Sequence, residues 1–146
     1  VLALGAVSAL LGVLYALMEH DLKSLLAYHS VENIGLITIG VGAALLFGSL
    51  HMPAAAALAL VAALYHTVNH AVFKTLLFLG AGAFERALGT LEPIDRLGGL
   101  LRRLPGSGGA VLVGSLAIAG MPMLNGFASE WLTLQALLHV PAEAAV

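Results

Sequence analysis

A lysine lies inside the long apolar segment 54–84, and two histidines precede it at helical spacing. If the segment is a helix, His66, His70 and Lys74 advance by about 400° per step and fall within about 80° of one face. A charged group at bilayer depth costs at least about 2.5–3.5 kcal/mol on insertion scales, so it is rare in a membrane helix without a functional reason. Lys74 therefore needs an environment that accounts for its charge.

The composition places the chain in a membrane. Hydrophobic residues make up 60% of the 146 residues and charged residues 10%, with a mean hydropathy of +1.01. A soluble domain carries roughly 25% charged residues. A helical bundle in water is the rival interpretation, but segments this apolar have no polar face to present to solvent. The net charge of −2 without a basic run argues against nucleic-acid binding, and the absence of cysteine excludes disulfides and thiolate metal sites.

The sequence predicts an all-α, polytopic transmembrane helix bundle with about four spans. Segments long enough to cross hydrocarbon, about 20 residues, lie at about 1–18, 24–47, 54–84 and 109–139. Polar and helix-breaking residues between the third and fourth spans predict a loop at about 85–107. Because Val1 already lies in an apolar run, we expect residues 1–146 to be a fragment of one transmembrane domain.

Basic residues mark one side of the predicted membrane. They lie in the first and third connections, whereas the second connection and the tail after residue 139 have none (the basic residues are Lys23, Arg86, Arg96, Arg102 and Arg103). Because basic loops stay in the cytoplasm, both termini of the fragment are predicted to face outward. The Arg96–Arg103 cluster is predicted to set the orientation and, secondarily, to dock a cytoplasmic partner.

The row formed by His66, His70 and Lys74 has two interpretations. Three groups one turn apart that can each gain and lose a proton are typical of a proton relay, and such a face must look into protein or a hydrated cavity. The alternative is polar contact between helices, with Lys74 paired to a fixed carboxylate. Zinc binding by histidines four residues apart, or haem ligation by His29, His66 or His70, would leave Lys74 unexplained. We therefore predict neither a metal nor a cofactor.

The fourth span is interrupted beside an ionisable residue. Pro122 removes a backbone donor and Gly126 is expected to relax the dihedral limits, so the helix should break between Gly120 and Gly126, a stretch that includes Asn125. Broken backbone at membrane depth survives where it is buried in protein or lines water, and breaks beside ionisable residues are typical of transporter sites. Glu130 lies one helical turn after the end of this break. The alternative is a proline kink with Glu130 reaching toward an interface.

The second span begins with polar residues. His29 and Asn33 share one face of a helix, and Glu32 lies about 60° to one side of that face. Glu32 could pair with Lys74 or pass protons toward it. The alternative is a solvated helix start in which Glu32 pairs with Lys23.

Three motifs resemble a known family. Asp21-Leu-Lys-Ser-Leu-Leu-Ala-Tyr-His-Ser-Val-Glu-Asn-Ile-Gly35 resembles the start of a central helix in antiporter-like subunits, which occur in complex I, Mrp sodium/proton antiporters and formate hydrogenlyase. His66-x3-His70-x3-Lys74-x3-Phe78-Leu-Gly-Ala-Gly resembles the next helix of that family. Gly120-Met-Pro-Met-Leu-Asn-Gly-Phe-Ala-Ser-Glu130 resembles its discontinuous helix. The forms around Glu32 and Glu130 are most similar to the hydrogenase-four and formate hydrogenlyase branch.

The resemblance implies a proton-translocating membrane subunit of a hydrogenase or complex-I-like oxidoreductase, without a catalytic centre of its own. Protons would reach Lys74 through the histidines or Glu32 and leave through Glu130. The family fold, two inverted five-helix units, implies that this fragment is most of the C-terminal unit. Implied partners are other membrane subunits, a cytoplasmic redox arm and lipid, in a bacterial or archaeal cell (inner) membrane. The alternatives are a structural anchor that moves no ions and an Mrp-type Na⁺/H⁺ antiporter subunit.

Overall fold

The structure, a computed structural model, describes residues 1–89, 94 and 97–138 and is all-α over that part of the chain. The helices described there run, in chain order, as α1 (Leu2–Met18), α2 (Leu22–Ser49), α3 (Pro53–Leu88), α4 (Leu100–Arg103), α5 (Pro105–Ile118) and α6 (Asn125–Leu138). Arg96, in the middle of the predicted loop, and His139, at the end of the predicted fourth span, fall outside the described residues. The predicted all-α fold with a discontinuous last span is confirmed.

Local sequence explains where the helices begin and end. The carboxylate of Asp21 accepts a hydrogen bond of 2.8 Å from the backbone amide of Ser24, which caps α2. Prolines stand in the first turns of α3 and α5, where a missing N–H is tolerated. Gly89 ends α3 in the left-handed region at φ 79°. Helix α3 thus continues past the apolar segment to Leu88, and α5 begins at Pro105 rather than near residue 109.

Two of the described helices, α2 and α3, are each long and apolar enough to cross a membrane. At about 1.5 Å per residue they are about 42 and 54 Å long, against about 30 Å of hydrocarbon. Helices α1 and α5 are apolar but shorter, with 17 and 14 residues. Helices α5 and α6 follow each other across the break and together supply the length of one span.

Helix α3 lies at the centre of the bundle. It packs against α2 on one side and against α5 and α6 on the other, while α1 packs on the far side of α2. Its interior side carries polar residues, and its exterior carries large apolar ones such as Val68, Val72 and Leu79, each at least 60% exposed. A helix that buries its polar stripe and exposes its apolar side is arranged for contact with lipid.

The first and third connections lie at the same end of the bundle. Nζ of Lys23, at the start of α2, is 2.5 Å from a carboxylate oxygen of Glu85, near the end of α3. The backbone amide of Ile94 donates a 2.9 Å hydrogen bond to the carbonyl of His20. These contacts agree with the connectivity expected of consecutive antiparallel spans.

Candidate functional site

The His66–Lys74 row lies inside the bundle. His66 is 2% exposed and Lys74 is 5% exposed, and His70 between them is half-buried. The row extends over about 12 Å along α3. The rings of His66 and His70 are nearly parallel, at 17°, with centroids 6.5 Å apart. The helical spacing thus brings the three predicted residues together on the buried side of α3.

His66 joins three helices through its two ring nitrogens. Nε2 lies 3.0 Å from Oδ1 of Asn33 on α2, and Nδ1 lies 2.9 Å from Oγ of Ser129 on α6. The other side-chain atom of Asn33, Nδ2, donates to the carbonyl of His29 at 2.7 Å. This fixes the amide so that Oδ1 accepts a hydrogen bond from Nε2–H of His66. His66 is therefore oriented, and its Nδ1 is the atom that can exchange a proton.

His70 is the least satisfied member of the row. Its Nε2 is buried and has no hydrogen-bond partner among the described residues. Its ring makes an edge contact with Phe73, at a centroid distance of 5.5 Å. A buried ring nitrogen without a protein partner is a position where a proton or a bridging water can be accommodated.

Lys74 is held by a carbonyl and an aromatic ring. Its Nζ donates to the carbonyl oxygen of Leu26 on α2 and lies 5.3 Å from the centroid of the Phe78 ring. Lys74 takes part in neither the Lys23–Glu85 ion pair nor the His29–Glu32 contact. The direct contacts of Lys74 are thus with neutral groups, and the carboxylate of Glu32 acts on its charge from beyond ion-pair distance.

Glu32 pairs with His29 rather than with either lysine considered from the sequence. A carboxylate oxygen of Glu32 is 2.8 Å from Nδ1 of His29, and both side chains are partly buried. Lys23 is bound to Glu85 at the surface. The pairing of Glu32 with Lys23 or Lys74 is therefore not what the structure has, because the i,i+3 spacing brings His29 within reach first.

The helix break is formed by residues 119–124, between Ile118 at the end of α5 and Asn125 at the start of α6. Gly120 has φ 65°, and Met123 has φ 76° and is fully exposed. Pro122 also lies exposed within the break. Nδ2 of Asn125 donates to Oδ1 of Asn69 on α3 at 3.3 Å, and Nδ2 of Asn69 donates to the backbone carbonyl of Asn125 at 2.9 Å. The interruption predicted from the sequence is confirmed, and it is tied to the central helix.

Gly126 is important at the break for a reason other than the relaxed dihedral limits expected from the sequence. Gly126 does not have a positive φ. Instead, a β-carbon on Gly126 would overlap the carbonyl group of Ala117 in α5. Gly126 is needed because α5 and α6 cross at that point with their backbones in contact. Conformational freedom is the property that matters at Gly120, where φ is positive.

Glu130 turns back toward the break. A β-carbon built on Gly120 would lie 2.8 Å from Oε2 of Glu130, so the carboxylate occupies the space that this glycine leaves open. Glu130 is half-buried and lines a cavity of about 310 Å³ between α2, α3 and α6 (the lining residues are Leu36, Ile39, His66, Glu130, Thr133, Leu134 and Leu137). That volume exceeds what a single water molecule needs. The inward carboxylate disagrees with the alternative in which Glu130 reaches outward.

A second cavity, of about 280 Å³, lies between α2, α3 and α5. His29 and Leu26 line it from α2, and Ser115 and Ala119 line it from α5. Leu26 supplies the carbonyl that holds Lys74. The row is thus flanked by one cavity near Glu130 and by another near His29.

Two members of the site were not among the predicted proton-pathway residues: Ser129 was not singled out from the sequence, and Asn33 was noted only for sharing a helix face with His29. Ser129 is completely buried and Asn33 is 3% exposed. The signal that could have found Ser129 is its position one turn after Asn125 and immediately before Glu130, an acidic residue within the predicted fourth span. These two residues engage both ring nitrogens of His66.

The fold and the site define a class: an integral membrane helix bundle with a discontinuous span and a row of buried ionisable groups beside it. The chain belongs to the NADH:quinone oxidoreductase/Mrp antiporter transmembrane family, whose profile matches residues 1–146.

Named relatives agree with that membership. The chain is 51% identical to hydrogenase-4 component B of Escherichia coli over 146 residues, which is 100% of this chain and 22% of the relative. It is 47% identical to formate hydrogenlyase subunit 3 of the same organism over 139 residues, 95% of this chain and 23% of the relative. It is 40% identical to a Na⁺/H⁺ antiporter subunit of Alkalihalophilus pseudofirmus over 138 residues, 92% of this chain and 17% of the relative. The chain thus spans about a fifth of the length of these relatives.

Proposed function

We propose that the chain is part of a proton-translocating membrane subunit of a hydrogenase, formate hydrogenlyase or complex-I-like oxidoreductase assembly. The family and the names of its hydrogenase and formate hydrogenlyase relatives support the class of assembly. One observation carries the proton-translocating role: His66, oriented by Asn33, lines the same 310 Å³ cavity as Glu130. A titratable ring and a carboxyl group that share a cavity large enough for water are suited to pass protons.

The proposed route uses the row and the two flanking cavities. Protons enter near His29 and Glu32, reach Lys74 and His70, and leave His66 for Glu130 through the larger cavity. Lys74 acts as the switch, because its ammonium group contacts a carbonyl and a ring and also responds to the charge of Glu32. Redox energy would come from partner subunits.

Replacement of Lys74 in the full assembly tests this role. Lys74→Ala is expected to abolish proton translocation in membrane vesicles while the protein still inserts and assembles, because the row loses its ammonium group. Lys23→Ala is the matched control: it removes a surface lysine whose ion pair with Glu85 is 46% and 44% exposed, so translocation should stay at the wild-type level. Undiminished translocation by Lys74→Ala would refute the relay.

We also propose the orientation and the partners. Lys23, Arg86, Arg102 and Arg103 lie in the first and third connections, which supports placing that end in the cytoplasm and the fragment's termini outside, in a bacterial or archaeal cell membrane. The exposed arginines of α4 would face a cytoplasmic redox arm. Single cysteines at Arg102 and at His51, between α2 and α3, should react with a membrane-impermeant thiol reagent from opposite sides.

The second candidate is a Na⁺/H⁺ antiporter subunit, which the 40% identity to the Alkalihalophilus pseudofirmus antiporter protein supports. A sodium site would need free carbonyl oxygens at the break. The carbonyls of Asn125 and Gly126, at the start of α6 next to the break, lie within hydrogen-bond distance of the side-chain donors of Asn69 and Ser129, and we therefore prefer proton transfer. Sodium-dependent transport by the full assembly would reverse that preference.

A purely structural anchor is the third candidate. Retained assembly together with normal translocation in all variants of the His66–Lys74 row would favour it.

A further inference from the structure

Ser129 presents a hydrogen-bonding conflict that depends on the proton of His66. Its Oγ lies 2.9 Å from Nδ1 of His66, 3.0 Å from the carbonyl oxygen of Gly126 and 3.2 Å from that of Asn125. A hydroxyl has one hydrogen to donate. The carbonyls can only accept, and Ser129 is fully buried, so solvent does not supply another partner.

The conflict has two solutions, and each corresponds to one charge state of His66. When His66 is neutral, its Nε2–H is committed to Asn33, so Nδ1 is a bare acceptor and the hydroxyl must donate to it. When Nδ1 also carries a proton, His66 donates to Oγ, and the hydroxyl is released to donate to the Gly126 carbonyl. The Asn125 carbonyl already accepts from Asn69. Each change of charge on His66 therefore turns the Ser129 hydroxyl.

The Gly126 carbonyl connects this rotation to Glu130. In helical geometry the carbonyl of residue 126 accepts from the amide of residue 130. Ser129 is also the immediate neighbour of Glu130, in the first turns after the break. The hydroxyl hydrogen bond thus forms or breaks on the turn that carries the acid of the proposed exit.

We propose that Ser129 is a positioning residue that relays the protonation state of His66 to the first turn of α6 and thereby to Glu130. This inference rests on the proposed proton-translocating function. The titratable groups that face His66 are Glu32 from α2, His70 from its own helix and Glu130 across the cavity. Among the described residues, Ser129 is the direct hydrogen-bond partner of the exchangeable nitrogen of His66.

The pH profile of proton translocation by the full assembly tests the proposal. A hydrogen bond to the cationic ring is stronger than one to the neutral ring, so Ser129→Ala removes more stabilisation from the cation. We expect the profile to move toward lower pH by about one unit. Ser129→Thr keeps the hydroxyl and should restore the wild-type profile. Thr38→Val removes a hydroxyl that bonds only its own helix, to the Ile34 carbonyl at 2.7 Å, and should leave the profile unchanged.

The outcomes separate this inference from the function on which it rests. A wild-type profile for Ser129→Ala, or equal impairment of Ser129→Ala and Ser129→Thr, would overturn the Ser129 proposal and leave the Lys74→Ala test of translocation untouched. If Ser129→Ala fails to assemble, Ser129→Cys, whose thiol is a weak donor, must show the same acid shift.

A spectroscopic test uses the wild-type assembly. The ¹⁵N spectrum of labelled histidine, with the His66 signal assigned by its loss in a His66→Gln variant, should show the neutral ring protonated at Nε2. Protonation at Nδ1 in the neutral ring would contradict the hydrogen-bond assignment at Ser129.

Discussion

Gly120 and Glu130 are in contact across the helix break. The left-handed backbone of Gly120, at φ 65°, leaves open the position that Oε2 of Glu130 fills. Ten residues of sequence separate them, and the turn at residues 119–124 brings them together. The break thereby determines where the proposed exit carboxylate points.

Gly120→Ala tests this relationship. The new methyl group meets Oε2, at the flexible end of the Glu130 side chain, and also strains the backbone by about 1–2 kcal/mol, so the carboxylate should be displaced and proton translocation should fall. Gly89→Ala is the matched control, because Gly89 has φ 79° but nothing within 4 Å of a β-carbon. It should lower thermal stability to a similar extent with translocation intact. Equal translocation in the two variants would show that the contact with Glu130 is unimportant.

Gly126→Ala is expected to disrupt the crossing of α5 and α6. Its β-carbon would overlap the Ala117 carbonyl, and overpacking of this kind typically costs about 1–3 kcal/mol. Gly109→Ala, within α5, meets nothing within 4 Å and should be neutral or stabilising by up to about 1 kcal/mol. Thermal unfolding of the detergent-solubilised protein, followed by size-exclusion chromatography, measures both. A Gly126→Ala protein as stable as Gly109→Ala would contradict the described crossing.

Asp21 gives α2 a pH-dependent cap. The backbone amide of Ser24 donates to its carboxylate and holds the pKa of Asp21 below its ordinary value, although partial desolvation opposes the shift. Because the folded pKa is the lower one, the stabilisation is complete above the unfolded value of about 4 and is lost as the pH falls through the folded value. Asp21→Ala should therefore cost about 1 kcal/mol at pH 7 and progressively less below pH 4.

Asp21→Asn separates the charge from the cap. An asparagine caps a helix about as well as aspartate does, but it does not titrate in this range. Its stability relative to Asp21→Ala should stay constant between pH 7 and pH 3, measured by thermal unfolding in detergent. A deficit of Asp21→Ala against wild type that does not shrink in acid would rule out the charged cap.

The sequence predicted the parts of the site that depend on spacing within one helix. The row on α3 follows from residues four apart, and the break follows from glycine and proline within an apolar span. Contacts between helices could not be predicted in this way. The bond of Lys74 to a backbone carbonyl of α2 and the burial of Ser129 depend on how α2, α3 and α6 are arranged in space. Gly126 illustrates the limit: its importance was foreseen, but the reason, a close approach to Ala117, is a tertiary one.

The proton-to-electron ratio of a His66→Gln assembly tests the central claim most directly. Glutamine can still donate to Asn33 and accept from Ser129, so it preserves much of the bridge between α2 and α6, but it cannot carry a proton at physiological pH. The ratio is measured in sealed vesicles, and redox turnover is recorded separately in the presence of an uncoupler. The variant should keep its redox turnover, and its proton-to-electron ratio should fall by the protons that this part of the assembly translocates. A proton-to-electron ratio equal to that of the wild-type assembly would contradict the proposal that protons pass through His66.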